Sequence, residues 1–170
     1  MLKKISYIAL LVFLTNSLQA QFIAPKANPN NPLNIDTEVH RTDLITYAKK
    51  YISTIYHWGG IEPVKGFDCS GFVYYVFKNF KITVPRVSRE YQYKGTSLKP
   101  ADFKVGDVLV FYGYRDKKTI SHLGIICEAD GMNSKFIHSS SGKAHGVTIS
   151  ELGSKMYTRR FYKCVSMIKD

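Results

Sequence analysis

Acidic residues are scarce in this chain: 13 Asp and Glu stand against 24 Lys and Arg, a formal charge of +11. The basic residues are scattered rather than gathered into one stripe, so the surplus does not read as a nucleic-acid footprint. It reads either as solubility or as long-range attraction to an anionic envelope. Long apolar runs are missing too. Ile5–Leu14 falls short of the roughly 20 residues a membrane-spanning helix needs. Cysteine is limited to Cys69, Cys127 and Cys164, an odd number, so at least one thiol is free or pairs with another chain. No two potential ligands sit at the local spacing typical of a zinc site. Tryptophan occurs once, at Trp58. There is no internal repeat, and the only biased stretch is the Asn- and Pro-rich segment from Gln21 to Leu33.

What is present describes one exported domain. A chain of 170 residues that is 45% apolar can bury a proper core. Lys3 and Lys4 precede the short apolar run, and Ser17-Leu18-Gln19-Ala20 follows it. That is the layout of a secretory signal peptide over residues 1–20, with cleavage after Ala20. No cysteine follows the cut, so a lipid anchor is not indicated. Residues 21–40 read as an extended arm and 41–170 as the folded domain.

Hydrophobic spacing gives the elements. Leu44, Ile45, Ala48, Tyr51, Ile52 and Ile55 follow a helical period. This predicts a first helix, capped by Asp36 or Thr37 and ending near Tyr56. A second helix is expected from Cys69 to about Asn79, and a short one near Arg89. Short β-branched and aromatic runs follow: 108–112, 122–127, 135–139, 147–149 and 161–168. Helices first and strands after predict an α+β fold, with N-terminal helices packed on an antiparallel sheet of about five to six strands.

The chemistry concentrates around Cys69. It sits in Gly66-Phe67-Asp68-Cys69-Ser70-Gly71-Phe72, at the mouth of the second helix rather than inside its apolar run. The positive end of the helix dipole is expected to lower its pKa and favour the nucleophilic thiolate. His122 opens a strand, and alternation puts His122, Gly124 and Ile126 on one face. Gly124 is expected to leave open space beside His122. His138 lies in the next segment and can stand beside His122 if the strands pair. A nucleophile, a base and a residue orienting the base form a triad, with Cys69, His122 and His138 in those roles. Cys127 and Cys164, in apolar β-like runs, are read as buried thiols or as a disulfide pair.

Seven segments, in order, resemble the NlpC/P60 family of cell-wall peptidases, which have a compact papain-like fold. They are Tyr56-His57-Trp58-Gly59-Gly60, Gly66-Phe67-Asp68-Cys69-Ser70-Gly71-Phe72, Val84-Pro85-Arg86-Val87-Ser88 and Val105-Gly106-Asp107-Val108-Leu109-Val110-Phe111. Ser121-His122-Leu123-Gly124-Ile125, Phe136-Ile137-His138-Ser139-Ser140-Ser141 and Gly146-Val147-Thr148-Ile149 complete the set. The resemblance implies that Cys69 is the nucleophile, His122 the base and His138 the orienting residue. It places Tyr56 near the nucleophile, helping to bind substrate or the oxyanion, and implies that Asp68 and Ser70 line the substrate groove, where in some relatives they help hold the amino group of an L-alanine. Asp68 is equally readable as a helix cap. Arg86 is assigned a structural role, Asp107 reads as a turn carboxylate, and Trp58 either walls the groove or packs under the glycines, with packing favoured. Where the family usually has a glutamine after the Pro-Arg-x-Ser segment, this chain has Tyr91, with Gln92 one residue late. The loop from Ser139 to Gly146 is long enough to border the groove.

The resemblance implies an exported cysteine peptidase, periplasmic or secreted, that cuts peptidoglycan stem peptides at the γ-D-glutamyl–diamino acid bond. An acyl-enzyme mechanism of this kind requires no metal or cofactor. The expected partner is peptidoglycan or a released muropeptide, with no nucleic acid, no membrane anchor after signal cleavage, and a monomeric state. Three alternatives stay open. One is an N-acetylmuramoyl-L-alanine amidase or acyltransferase on the same fold. Another is a zinc site built from Cys69, His122 and His138. The last is a catalytically silent wall-binding module.

Overall fold

Helix α2 (Cys69–Asn79) organises the described part of this computed structural model, residues 40–116 and 118–169. Asp68 supplies its N-cap: the carboxylate accepts the Gly71 backbone N–H at 2.5 Å, filling one of the orphan donors of the first turn. Phe72, Val73, Val76 and Phe77 are fully buried along its inner face. Each such burial is worth about 1.5–3 kcal/mol of transfer free energy. The signal-peptide and arm assignments, and the cap at Asp36 or Thr37, lie outside the described residues apart from His40 at the end of the arm.

Helix α1 (Arg41–Lys49) buries Leu44, Ile45 and Ala48. Its N-cap is His40, without a side-chain capping bond. Arg41 ties it to the sheet through Val105 O (3.1 Å), Asp107 Oδ1 (2.8 Å) and Ser166 Oγ (3.0 Å). The helix stops well before Tyr56, a correction to the periodicity argument. Ser53 turns the chain with φ 71°, and the following residues pair with a strand. The Ser53 N–H donates to Val147 O at 2.9 Å, the Val147 N–H to Thr54 O at 2.8 Å and the Tyr56 N–H to His145 O at 3.0 Å. Ile52 and Ile55 keep the helical spacing in sequence yet are left exposed.

The strands β1 (Ile61–Glu62) and β2 (Gly66–Phe67) form a short hairpin before α2. A 3-10 turn over Ser88–Tyr93 follows α2. Then come β3 (Val108–Tyr112), β4 (Ile120–Glu128), β5 (Lys135–Ser140), β6 (Gly146–Glu151), helix α3 (Lys155–Arg160) and β7 (Phe161–Val165). The five long strands make one antiparallel sheet in the order β6-β5-β4-β3-β7. The fold is α+β, as the segment pattern predicts. Helix α3, between β6 and β7, has no counterpart in that prediction.

Alternation along the strands separates two cores. Val108, Val110, Leu123, Ile125 and Ile137 pack with α1 and α2. Leu109, Phe111, Ile126, Phe136 and Cys164 pack with Leu152 and with Tyr157 of α3. Cys127 belongs to the first core and Cys164 to the second, and both are free thiols. Of the two readings of these cysteines, the buried-thiol one describes the structure.

Candidate active site

A groove of about 870 Å³ runs past the N-terminus of α2, and Cys69, His122, Tyr56, Asp68 and Ser70 all line it. Three close approaches set its geometry. A Cβ on Gly71 would stand 1.9 Å from the Gly60 carbonyl oxygen. Only glycine therefore lets the loop after Tyr56 fold against the first turn of α2. On the opposite wall, β3 and β4 slip register between Phe111↔His122 and Tyr112↔Ile120, which makes Ser121 a bulge. Bulges re-aim neighbouring side chains, and here the Ser121 carbonyl accepts the Cys69 thiol at 3.6 Å. The sulfur thus rests against the backbone that carries His122.

The third approach is at Gly124. Continuing the β4–β5 register puts it across from His138. A Cβ there would meet the Phe136 ring at 2.3 Å and the His138 Cβ at 3.3 Å. The space beside His122 is therefore filled by Phe136, not open to substrate as expected from the sequence. Removing that Cβ lets the two imidazoles meet. His122 Nε2 lies 2.9 Å from His138 Nδ1, with the rings at 89°. His138 is fully buried, and its Nε2 lies 2.9 Å from Ser150 Oγ and 3.4 Å from Tyr157 Oη.

Electrostatics depart from the helix-dipole expectation. Burial and the neighbouring Asp68 carboxylate push the Cys69 thiol up to about 11, against the opposing pull of the backbone N–H groups of Leu123, Ser70 and Cys69. Burial disfavours an anion more than the helix terminus favours it, so the sulfur rests protonated. Burial, His138 and the Arg160 cation hold His122 well below its ordinary value. Burial and Arg160 lower His138 to about 3. The resting groove holds a neutral thiol and a neutral imidazole, the latter in the protonation state that can accept a proton.

The other predicted residues cluster on the α2 side. Arg86 grips Asp68 with both terminal nitrogens (3.3 and 3.2 Å) and reaches Ser70 Oγ (3.1 Å) and the Gly59 carbonyl (2.9 Å). Ser70 Oγ also donates to Asp68 Oδ1 at 3.1 Å. Asp68 is therefore both a helix cap and a groove residue, and Arg86, given only a structural role from sequence, lines the groove. The Tyr56 phenol is raised by burial first and then by its acidic neighbours Cys69 and Asp68. Trp58 is 85% exposed at the rim rather than packed under glycines. Ser140, Ser141 and Gly142 of the long loop border the groove. Asp107 is a buried partner of Arg41, away from this groove.

Sequence reasoning missed Ser150, Tyr157 and Arg160. The last two stand three residues apart on α3, so a helix assigned after Ser154 would have put them on one face. Nothing in the sequence marks Ser150.

Residues 53–166 match the NlpC/P60 family. The chain belongs to that family. It is 39% identical to gamma-DL-glutamyl hydrolase of Bacillus subtilis over 110 residues, which are 64% of this chain and 25% of that protein. It is 36% identical to the murein DD-endopeptidase MepH of Escherichia coli over 110 residues, 63% of this chain and 38% of that protein. The chain thus spans well under half of either relative. An NlpC/P60 family protein from Bacillus cereus superposes with a TM-score of 0.69 at 26% identity, over 78% of this chain and 41% of that one.

Proposed function

We propose that the protein is an exported cysteine peptidase that hydrolyses peptidoglycan stem peptides through an acyl-enzyme. The observation that carries this reading is the shared groove: Cys69 and His122 line it together, and His122 Nε2 is held 2.9 Å from His138 Nδ1. With Nε2 engaged, Nδ1 is the nitrogen left to serve the sulfur. His122 then keeps its proton on Nε2 and donates to His138 Nδ1, while His138 donates from its own Nε2 to Ser150 Oγ.

In this mechanism His122 Nδ1 takes the Cys69 proton as Sγ attacks the scissile carbonyl. The imidazolium protonates the departing amine, and His122 next activates the water that releases the acyl group. Positioned acid–base catalysis of this kind contributes on the order of 10²–10⁴-fold. The Cys69 backbone N–H and the Tyr56 hydroxyl are the donors we assign to the oxyanion, one such donor being worth about 10²–10³-fold. Asp68 and Ser70, with Tyr56, hold the amino end of the peptide. The groove's charged lining is Arg86, Arg89 and Arg160 against the single carboxylate of Asp68, which suits a substrate rich in carboxylates.

The bond we assign is γ-D-glutamyl–diamino acid, in keeping with the γ-DL-glutamyl hydrolase relative. The test incubates wild type and Cys69→Ala with purified sacculi and muropeptides and identifies the products by mass spectrometry. New amino termini on the diamino acid, absent with Cys69→Ala, support the reading. Cleavage only between D-amino acids moves the assigned bond, and no cleavage by wild type overturns the function.

A further inference from the structure

Arg160 is a buried cation without an anion. It is 8% exposed, and among the described residues its one hydrogen bond runs from Nε to the Tyr112 carbonyl at 2.9 Å. Among the described residues no carboxylate lies within ion-pair distance of it. The guanidinium is braced by two tyrosine rings, with centroids 5.9 Å away for Tyr157 and 6.0 Å for Tyr114. All three side chains line the groove. The opposite wall differs in kind, because there Arg86 is saturated by Asp68, Ser70 and Gly59. A desolvated charge is costly unless something pairs with it, and the unbonded terminal nitrogens form a planar fork suited to a carboxylate. Burial lowers the Arg160 pKa, while Tyr157, Cys69 and Tyr114 oppose that shift. The guanidinium shares the groove with Cys69 and His122, and Tyr157, which braces it, has its hydroxyl 3.4 Å from His138 Nε2.

We propose that Arg160 is a specificity residue that binds a substrate carboxylate flanking the scissile bond through its terminal nitrogens, with Tyr114 and Tyr157 fixing the guanidinium plane. This rests on the stem-peptide reading above. Such a peptide offers two sources of that carboxylate: the α-carboxylate of the γ-linked glutamate, and the side-chain carboxylate of diaminopimelate.

Three tetrapeptides separate them: L-Ala-γ-D-Glu-diaminopimelate-D-Ala, its α-amidated isoglutamine form, and the form with lysine in place of diaminopimelate. kcat and KM are measured for wild type, Arg160→Gln and Arg160→Lys, with thermal melts to confirm folding. Charged hydrogen bonds of this kind are worth about 10–100-fold. Arg160→Gln is expected to raise KM by that factor on the first peptide, with a smaller change in kcat. The penalty is expected to shrink to within about twofold on whichever peptide lacks the partner carboxylate. Arg160→Lys is expected to recover only part of the loss. Equal penalties on all three peptides, or a loss confined to kcat, overturn the proposal while leaving the peptidase reading intact. Calorimetric binding of the same peptides to Cys69→Ala, with and without Arg160→Gln, reads the contact without turnover. Equal affinities there overturn it even if wild type cuts none of the peptides, the result that would sink the peptidase reading.

Discussion

Ser150 Oγ lies 2.9 Å from His138 Nε2, so the histidine that bonds to His122 is itself held from β6. Ser150→Ala strips a buried imidazole nitrogen of its nearer polar partner and leaves it only the Tyr157 hydroxyl at 3.4 Å, at a cost of at most about 1–3 kcal/mol. It also frees His138 to turn its proton toward His122. The expected outcome is a several-fold fall in kcat with KM little changed, milder than His138→Ala, which in turn is milder than His122→Ala. Steady-state kinetics on a muropeptide substrate check the order. A Ser150→Ala enzyme with unaltered kcat removes the relay from β6.

The sulfur should behave as a thiol. With Cys69 pushed up to about 11, its alkylation by iodoacetamide is expected to keep accelerating through pH 7–10, read peptide by peptide so that Cys127 and Cys164 do not interfere. A rate already level at pH 6 would indicate a preformed thiolate–imidazolium pair, and the neutral resting state would be wrong.

Acid should loosen the fold between pH 6.5 and 3. An unfolded imidazole takes up its proton near pH 6.5, whereas the buried His138 does so only at about 3. Between these values the unfolded chain binds the extra proton, so stability is full above pH 6.5 and drains as pH falls. The slope is at most about 1.4 kcal/mol per unit for each such group, and His122 shifts in the same direction. Thermal melts from pH 7 to 4 should show a falling midpoint, with a shallower slope for His138→Gln. Parallel profiles for the two proteins would contradict the buried neutral histidine.

Gly124→Ala should damage the site without touching a polar group. Its Cβ would meet the Phe136 ring at 2.3 Å, so Phe136 and His138 must shift. Overpacking of this kind costs about 1–3 kcal/mol, and activity should fall by at least tenfold, as measured by denaturant titration alongside turnover. A variant with full stability and activity would show that this close approach is dispensable.

Much of this was legible in local chemistry. The bounds of α2 follow from Asp68 as cap and the apolar run behind it, and the partnership of His122 with His138 follows from alternation on adjacent strands. The misreadings share a cause, which is tertiary contact overriding local pattern. Ile52 and Ile55 carry helical spacing, but pairing of residues 53–56 with β6 ends α1 first. The helix terminus should favour a thiolate at Cys69, but burial outweighs it. Gly124 reads as open space only until the Phe136 ring from β5 is known to fill it. Ser150 and Arg160 gain their places from β6 and α3 folding back over the second core, which no short window of sequence encodes.

The most direct measurement is intact-protein mass spectrometry on a rapidly acid-quenched mixture of enzyme and muropeptide. A transient mass increase equal to the acyl fragment is expected, mapped by proteolysis to the peptide holding Cys69 and missing from Cys69→Ala. Turnover at the wild-type rate by Cys69→Ala, or an adduct on any other residue, would contradict it.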